Sequence, residues 1–286
     1  MKNIKLQLDR RQILKGDNYE FKLGTRTFIM GILNITPDSF SDGGSYTNIE
    51  EAIQQAKRMV EEGADIIDVG GESTRPGAAE VSASEELQRV LPVVERLVKE
   101  IKVPISVDTY KAEVADAVLK AGAHMINDVW GLQRDEKMAA VVAKYHVPVF
   151  IMHNQIGTDY SKDIMEAISD FFNESINIAL GAGIDKGQII LDPGIGFGKN
   201  YEQNIEVMAR LGELNDLGYP ILLGTSKKSM IGKILDLPPK ERVEGTLATS
   251  VMGILQGVDF IRVHDITENL RTVKVTDAIV RGQENG

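Results

Sequence analysis

Residues 104–128 read PISVDTYKAEVADAVLKAGAHMIND. A short apolar run ends in Asp108, an amphipathic helical pattern follows over 111–121, and a second short run, HMIND, closes the stretch at 124–128. Both runs are short and continuous, as strands covered on both faces are. Strand, helix and strand in that order make a crossover between parallel strands, and such crossovers are right-handed.

The unit repeats in both directions. Strands are expected at 27–33 (TFIMGIL), 65–70 (DIIDVG), 104–108 (PISVD), 124–128 (HMIND), 148–153 (PVFIMH), 188–192 (QIILD), 220–224 (PILLG) and 259–263 (DFIRV). Helical patterns cover 49–62, 84–100, 111–121, 135–144, 162–182, 200–217, 241–256 and 267–281. Eight α/β units close most naturally into a (β/α)8 TIM barrel, although an open doubly wound sheet shares the local pattern. No linker, low-complexity tract or charge block divides the chain. Residues 1–286 are therefore expected to form one domain, with 1–26 as an N-terminal β-hairpin extension over one barrel end.

Composition narrows the function. The chain has 286 residues, 43% hydrophobic and 26% charged, ordinary values for a soluble globular protein. The absence of cysteine excludes disulfides and thiolate metal sites and fits a reducing, cytoplasmic setting. No apolar run approaches the ~20 residues of a membrane span, and the first 26 residues do not read as a secretory signal. With 42 acidic against 32 basic side chains and a net charge of −10, no nucleic-acid partner is expected. An anionic small substrate would need a local cluster of cations.

Functional side chains gather where strands end. The first strand leads to Asn34, the second into ESTRPG (72–77), and the third ends in Asp108-Thr109. Asn127-Asp128, Met152-His153-Asn154 and Asp192-Pro193-Gly194 close the next three. The seventh runs into GTSKKS (224–229) and the eighth into Arg262-Val263-His264. Turn formation and helix capping explain three or four of these ends, but not Lys228, Arg262 or His264. Carboxyl ends of strands are where barrels and open sheets both place their sites. Asp108, Asn127 and Asp192 suit a planar heterocycle with adjacent N–H and NH2 donors, while Lys228 offers a donor. Arg262 can stack on a ring and hold an anion, and Arg75 and His264 complete a cationic pocket for phosphate. DPGIGFGK (192–199) is neither a dinucleotide fingerprint nor a Walker loop, since its glycine spacing fits neither. The four histidines lack zinc spacing, and no G-x-S-x-G elbow is present.

NITPDSFSDGG (34–44), GGESTRPGA (70–78), SVDTYKAEVA (106–115), INDVWG (126–131), LDPGIGFGK (191–199), GTSKKSMIG (224–232) and the Arg-Val-His of 262–264 together resemble the dihydropteroate synthases of folate biosynthesis. The resemblance implies a barrel and a condensation of 6-hydroxymethyl-7,8-dihydropterin pyrophosphate with p-aminobenzoate, yielding 7,8-dihydropteroate and pyrophosphate. It implies a pterin site of Asp108, Asn127, Met152, Asp192, Gly196, Phe197, Gly224, Lys228 and Arg262. Asn34, Arg75, Arg262 and His264 would meet the pyrophosphate. Phe40, Thr74, Pro76, Lys228 and Ser229 would seat p-aminobenzoate. Asn34 would bind Mg2+, and Asp108, Asn34, Lys228 and Arg262 would carry the catalysis. The resemblance also implies a homodimer and a family that is a target of sulfonamides. Pro37, Gly43 and Gly44 would set the turns of a loop that carries Phe40 and Asp42 over the site as a lid. Lys227 stands where the family commonly has Arg, and the segment after His153 lacks a proline often found there.

Two other readings compete. A methyltetrahydrofolate–corrinoid methyltransferase shares a pterin-binding barrel, but it needs neither a p-aminobenzoate seat nor a pyrophosphate pocket. A catalytically dead pterin-binding paralogue should have lost some of Asn34, Asp108, Lys228, Arg262 and His264, and all are present.

Overall fold

The structure is a computed structural model that describes residues 12–16, 19–35, 45–72 and 80–282. Two short strands, β1 (Ile13–Lys15) and β2 (Glu20–Lys22), pair antiparallel as the expected hairpin. Eight strands follow: β3 (Phe28–Asn34), β4 (Ile66–Gly70), β5 (Ile105–Asp108), β6 (Met125–Asp128), β7 (Val149–Met152), β8 (Ile189–Asp192), β9 (Leu222–Leu223) and β10 (Phe260–Val263). Every neighbouring pair among them is parallel, in the order β8-β7-β6-β5-β4-β3-β10-β9. A parallel bridge between Leu191 and Ile221 joins the two ends, so the sheet closes into a TIM barrel. β9 is shorter than its 220–224 pattern: at its start Pro220 has no N–H to give and Ile221 N donates to Asp259 Oδ2 at 3.1 Å, while the Pro220 carbonyl accepts from Leu191 N at 2.9 Å.

Helices α1 (Ser45–Glu62), α2 (Ala83–Glu100), α3 (Ala112–Lys120), α4 (Met138–Tyr145), α5 (Ile164–Gly181), α6 (Tyr201–Arg210), α7 (Ser229–Leu235), α8 (Val243–Leu255) and α9 (Ile266–Val280) lie between and after the strands. Their starts are marked locally. Ser82 accepts from Glu85 N at 3.2 Å, Asp163 from Met165 N at 2.9 Å, and Asn200 forms a reciprocal capping box with Gln203. The expected helix over 200–217 ends at Arg210 and continues as a 3-10 helix from Leu211 to Leu217.

Strand residues alternate between two environments, as the period of two requires. Ile29, Leu33, Ile67, Val69, Ile105, Val107, Ile126, Ile151 and Ile261 face outward and share a core with the inner faces of the helices. Phe28, Met30, Ile66, Met125, Phe150, Ile190, Leu222 and Phe260 form a separate core with Leu14, Phe21 and Leu23 of the hairpin segment. Phe21 reaches Phe28 at 4.8 Å and Phe260 at 6.0 Å between ring centroids, so the hairpin covers the amino-terminal end of the barrel. The inward positions toward the other end are Asp68, Asn127, Asp192 and Arg262, each two residues beyond its apolar counterpart, and Asp108, two residues beyond Ser106.

Candidate active site

The polar half of the barrel interior is organised around Arg262. Its Nε donates to Asp68 Oδ2 at 2.6 Å and its Nη2 to Asp108 Oδ2 at 2.8 Å. Asn127 Nδ2 donates to the same Asp68 oxygen at 3.0 Å. Gly224 lies between Arg262 and Asp192: a Cβ there would come 3.8 Å from Arg262 Cβ and from Asp192 Oδ2. Asp192 Oδ1 accepts from Gly194 N at 2.8 Å. Asn34, half-buried at the end of β3, places Oδ1 on one flank of Gly70, with Asp108 on the other; a Cβ at Gly70 would be 3.7 Å from the first and 3.6 Å from Asp108 Cβ.

The loop after β9 carries Lys228 against the loop after β8. Its ammonium sits 4.2 Å from the Phe197 ring centre and donates to Ile195 O. Gly196 is at φ +84°, and a Cβ there would fall 2.9 Å from Lys228 Cδ, so a side chain would obstruct the lysine as well as strain the backbone. Gly194 is tighter, since a Cβ would meet His153 O at 2.0 Å. Met152 lines the same corner, with Cγ 3.3 Å from that position.

Burial sets the electrostatics. It raises Asp108 to about 7, against the lowering pull of Arg262 and with a further push from Asp68 and Glu86. It also raises Asp192, which Gly194 N and Lys228 partly offset. Burial pushes Lys228 down to about 8 despite the opposing effect of Asp192. It disfavours the Arg262 charge too, but Asp68 and Asp108 outweigh it and the pKa is raised. Asp68 Oδ1, Asp108 Oδ1, Asn127 Oδ1 and Ser106 Oγ are buried and have no hydrogen-bond partner among the described residues. Acceptors buried and unpaired are costly, so their convergence at one place favours a donor-bearing ligand there.

Several expected residues take positions the sequence pattern leaves open. His264 Nδ1 pairs with Ser226 Oγ at 2.8 Å, which ties the end of β10 to the loop after β9. Lys227, at φ +57°, donates to Asp265 at 2.8 Å, and Arg242 Nη1 binds its carbonyl at 3.0 Å. Ser229 is exposed as the first residue of α7. Phe40, Asp42, Thr74, Arg75 and Pro76 lie outside the described residues, as do Pro37, Gly43 and Gly44.

Three residues take roles that the sequence pattern does not single out. His153 points away from the interior: its Nδ1 meets Lys199 Nζ at 2.8 Å, and its ring packs on Phe171 at 4.9 Å between centroids. Lys199, read only as the end of a false Walker motif, also donates to Gly194 O and Phe197 O, both at 3.0 Å, and so holds the loop beneath Lys228. Burial drives His153 down to about 2 and Lys199 to about 7, so the imidazole is neutral and can accept. Asp68 is the third; it lies within an apolar run, and its signal is an acid at an inward position of a strand otherwise apolar.

Residues 30–264 match the family model described as "Pterin binding enzyme". The dihydropteroate synthase of Clostridium beijerinckii is 56% identical, over 94% of this chain and 100% of that one. The chain belongs to the dihydropteroate synthase family. A crystal structure of the Clostridium difficile synthase in the presence of pteroic acid superposes with a TM-score of 0.90 at 62% identity, covering 91% of this chain and 99% of that one. The Yersinia pestis synthase in complex with a sulfonamide drug gives a TM-score of 0.87 at 45% identity, covering 93% of this chain and 98% of that one. Family membership makes the chain a transferase and disfavours the corrinoid methyltransferase reading. No described helix is long and apolar enough to cross a membrane.

Proposed function

We propose that this chain condenses 6-hydroxymethyl-7,8-dihydropterin pyrophosphate with p-aminobenzoate, and that the residues above divide the work as follows. The observation that carries the reading is the set of buried, unpaired acceptors, Asp108 Oδ1 and Asn127 Oδ1, beside Asp192 and facing the cation of Lys228. A pterin presents adjacent N–H and NH2 donors to such acceptors and a carbonyl or ring nitrogen to Lys228. Met152, Gly196, Phe197 and Gly224 border the same corner, close to Lys228, Asp192 and Arg262. Arg262, with His264 and Arg75, receives the pyrophosphate. Lys228 and Ser229, with Phe40, Thr74 and Pro76, form the p-aminobenzoate seat.

An arylamine is a poor nucleophile, because its lone pair is delocalised into the ring. Departure of pyrophosphate first is therefore favoured: the C–O bond breaks and the pyrophosphate keeps the electron pair. The exocyclic carbon becomes electron-poor in conjugation with the pterin nitrogens. Asp108 stabilises that charge in a site with little water, and Arg262 stabilises the leaving group. The amine nitrogen then forms the new C–N bond from a fixed position and releases a proton. Asn34 contributes one neutral oxygen, and no group of three His, Asp or Glu residues among the described residues makes a metal cage. That donor set fits a hard cation held mostly by substrate oxygens and water. When bound there, Mg2+ would neutralise charge on the departing pyrophosphate.

The chain is taken as one domain, and a homodimer is supported by apolar side chains left exposed on two adjacent helices. Val275 and Ile279 of α9 are 62% and 66% exposed, and Met252 of α8 is 49% exposed. Sedimentation equilibrium showing only a 31.4 kDa species would overturn the dimer. For the reaction, purified protein with Mg2+, the pterin pyrophosphate and labelled p-aminobenzoate should yield labelled dihydropteroate. Absence of labelled product would sink the assignment.

A further inference from the structure

Asp68 has no part in the roles assigned above, yet it touches two residues that do. It is 0% exposed, at the middle of β4, with Ser106 of β5 and Ile32 of β3 as register neighbours. Neither neighbour brings a charge. Its Oδ2 accepts from Arg262 Nε at 2.6 Å and from Asn127 Nδ2 at 3.0 Å, whereas its Oδ1 has no partner among the described residues.

We propose that Asp68 is a positioning residue for pterin recognition, fixing which end of the Asn127 amide faces the ligand and anchoring the Nε edge of Arg262. The inference rests on the pterin reading of this site. An amide offers a carbonyl oxygen on one side and an NH2 on the other, and the two ends are nearly the same size, so packing alone does not choose between them. A carboxylate oxygen only accepts. Asp68 therefore takes the NH2 of Asn127, and the carbonyl oxygen is left as the buried acceptor in the pocket. Were the amide reversed, a donor would confront the donor edge of the ring. The guanidinium is fixed in the same way. With Nε committed to Asp68, Arg262 holds its position even when a ligand takes Asp108 away from Nη2, and its outer edge stays available to an anion.

A merely structural Asp68 would lower stability without separating the two substrates. The positioning role predicts a split. With 6-hydroxymethylpterin as the probe, Asp68→Ala should raise the Kd at least about tenfold while leaving the KM for p-aminobenzoate within about twofold. Asp68→Asn should bind within about threefold of the unmodified protein, since its carbonyl oxygen can accept both hydrogen bonds. In the unmodified protein, the Asn127 side-chain N–H signals, assigned by their loss in Asn127→Ser, should exchange slowly with and without the pterin. Unchanged pterin affinity in Asp68→Ala, or equal losses in both Asp68 variants, would overturn the proposal while leaving the pterin reading intact. If Asp68→Ala does not fold, the amide exchange decides: exchange at solvent rates overturns it and protection supports it. Unmodified protein that fails to bind the probe overturns the pterin reading and this proposal together.

Discussion

The two halves of the barrel interior are built from the same strand faces and behave in opposite ways. Ile66 and Asp68, Met125 and Asn127, Ile190 and Asp192, and Phe260 and Arg262 are each two residues apart, so each pair shares a face. The first member of every pair belongs to the apolar core that the hairpin covers, and the second belongs to the polar cluster. About 6–7 Å along a strand separates them. The comparison shows that the apolar half is more than filling. By closing one end against water it leaves the charges above it poorly solvated, where each interaction is stronger and each pKa moves. Asp108 at about 7 and Lys228 at about 8 are shifted first of all by burial.

Paired substitutions can break this division of labour. Phe260 meets Phe28 in a tilted contact at 5.5 Å and Phe150 edge-on at 5.7 Å between centroids, and Phe260→Ala would leave a cavity among aromatic rings. It should cost about 3–5 kcal/mol in denaturant unfolding. Asp108→Asn should do the reverse. Its carboxyl titrates near 7 in the folded protein, above the ordinary value of 3.8, so at pH 8 the ionised form is a cost to the native state that Asn removes. Stability at that pH should therefore not fall, while kcat falls on the order of 10²–10³-fold through loss of a buried charge at the reacting centre. Full activity in Asp108→Asn, or full stability in Phe260→Ala, would refute the separation.

Most of this architecture can be read from pattern. Short apolar runs separated by amphipathic helices lead to the barrel, and every expected strand and helix is present with ends within a few residues, except that the 200–217 helix turns 3-10 after Arg210. The candidate site is legible in part, because Asp108, Asn127, Asp192 and Arg262 sit at or next to strand ends and Lys228 in the loop after β9, where a polar side chain stands out. Asp68 does not stand out there, since it lies one step inside its strand and only the inward register with Ser106 of β5 gives it away. Lys199 and His153 escape for another reason: their meaning is in a contact across 46 residues of sequence. His153 follows Met152 by a single residue, and that one step turns it from the interior to the outer layer, which a list of strand-end residues cannot register.

The smallest effect expected is also the most direct probe of the enclosed polar half. In the proposed mechanism Asp108 stabilises an electron-poor pterin in its ionised form, so kcat/KM should fall as pH drops through about 7, where its carboxyl takes up a proton. In the proposed mechanism Lys228 acts as a charged donor, so kcat/KM should fall again as pH rises through about 8 and the ammonium loses its charge. The two limbs give a narrow bell with its top between these values, and they report the free protein because kcat/KM does so. Lys228→Arg separates the limbs from any titration of the substrates. A guanidinium does not lose its proton in this range, so the variant should keep the acid limb and lose the basic one, whatever its absolute rate. An acid limb near the ordinary carboxylate value of 3.8 would mean that Asp108 is solvated when the substrate arrives. A basic limb that survives in Lys228→Arg would assign that limb to another group, and the apolar floor would then have no measurable hold on the lysine above it.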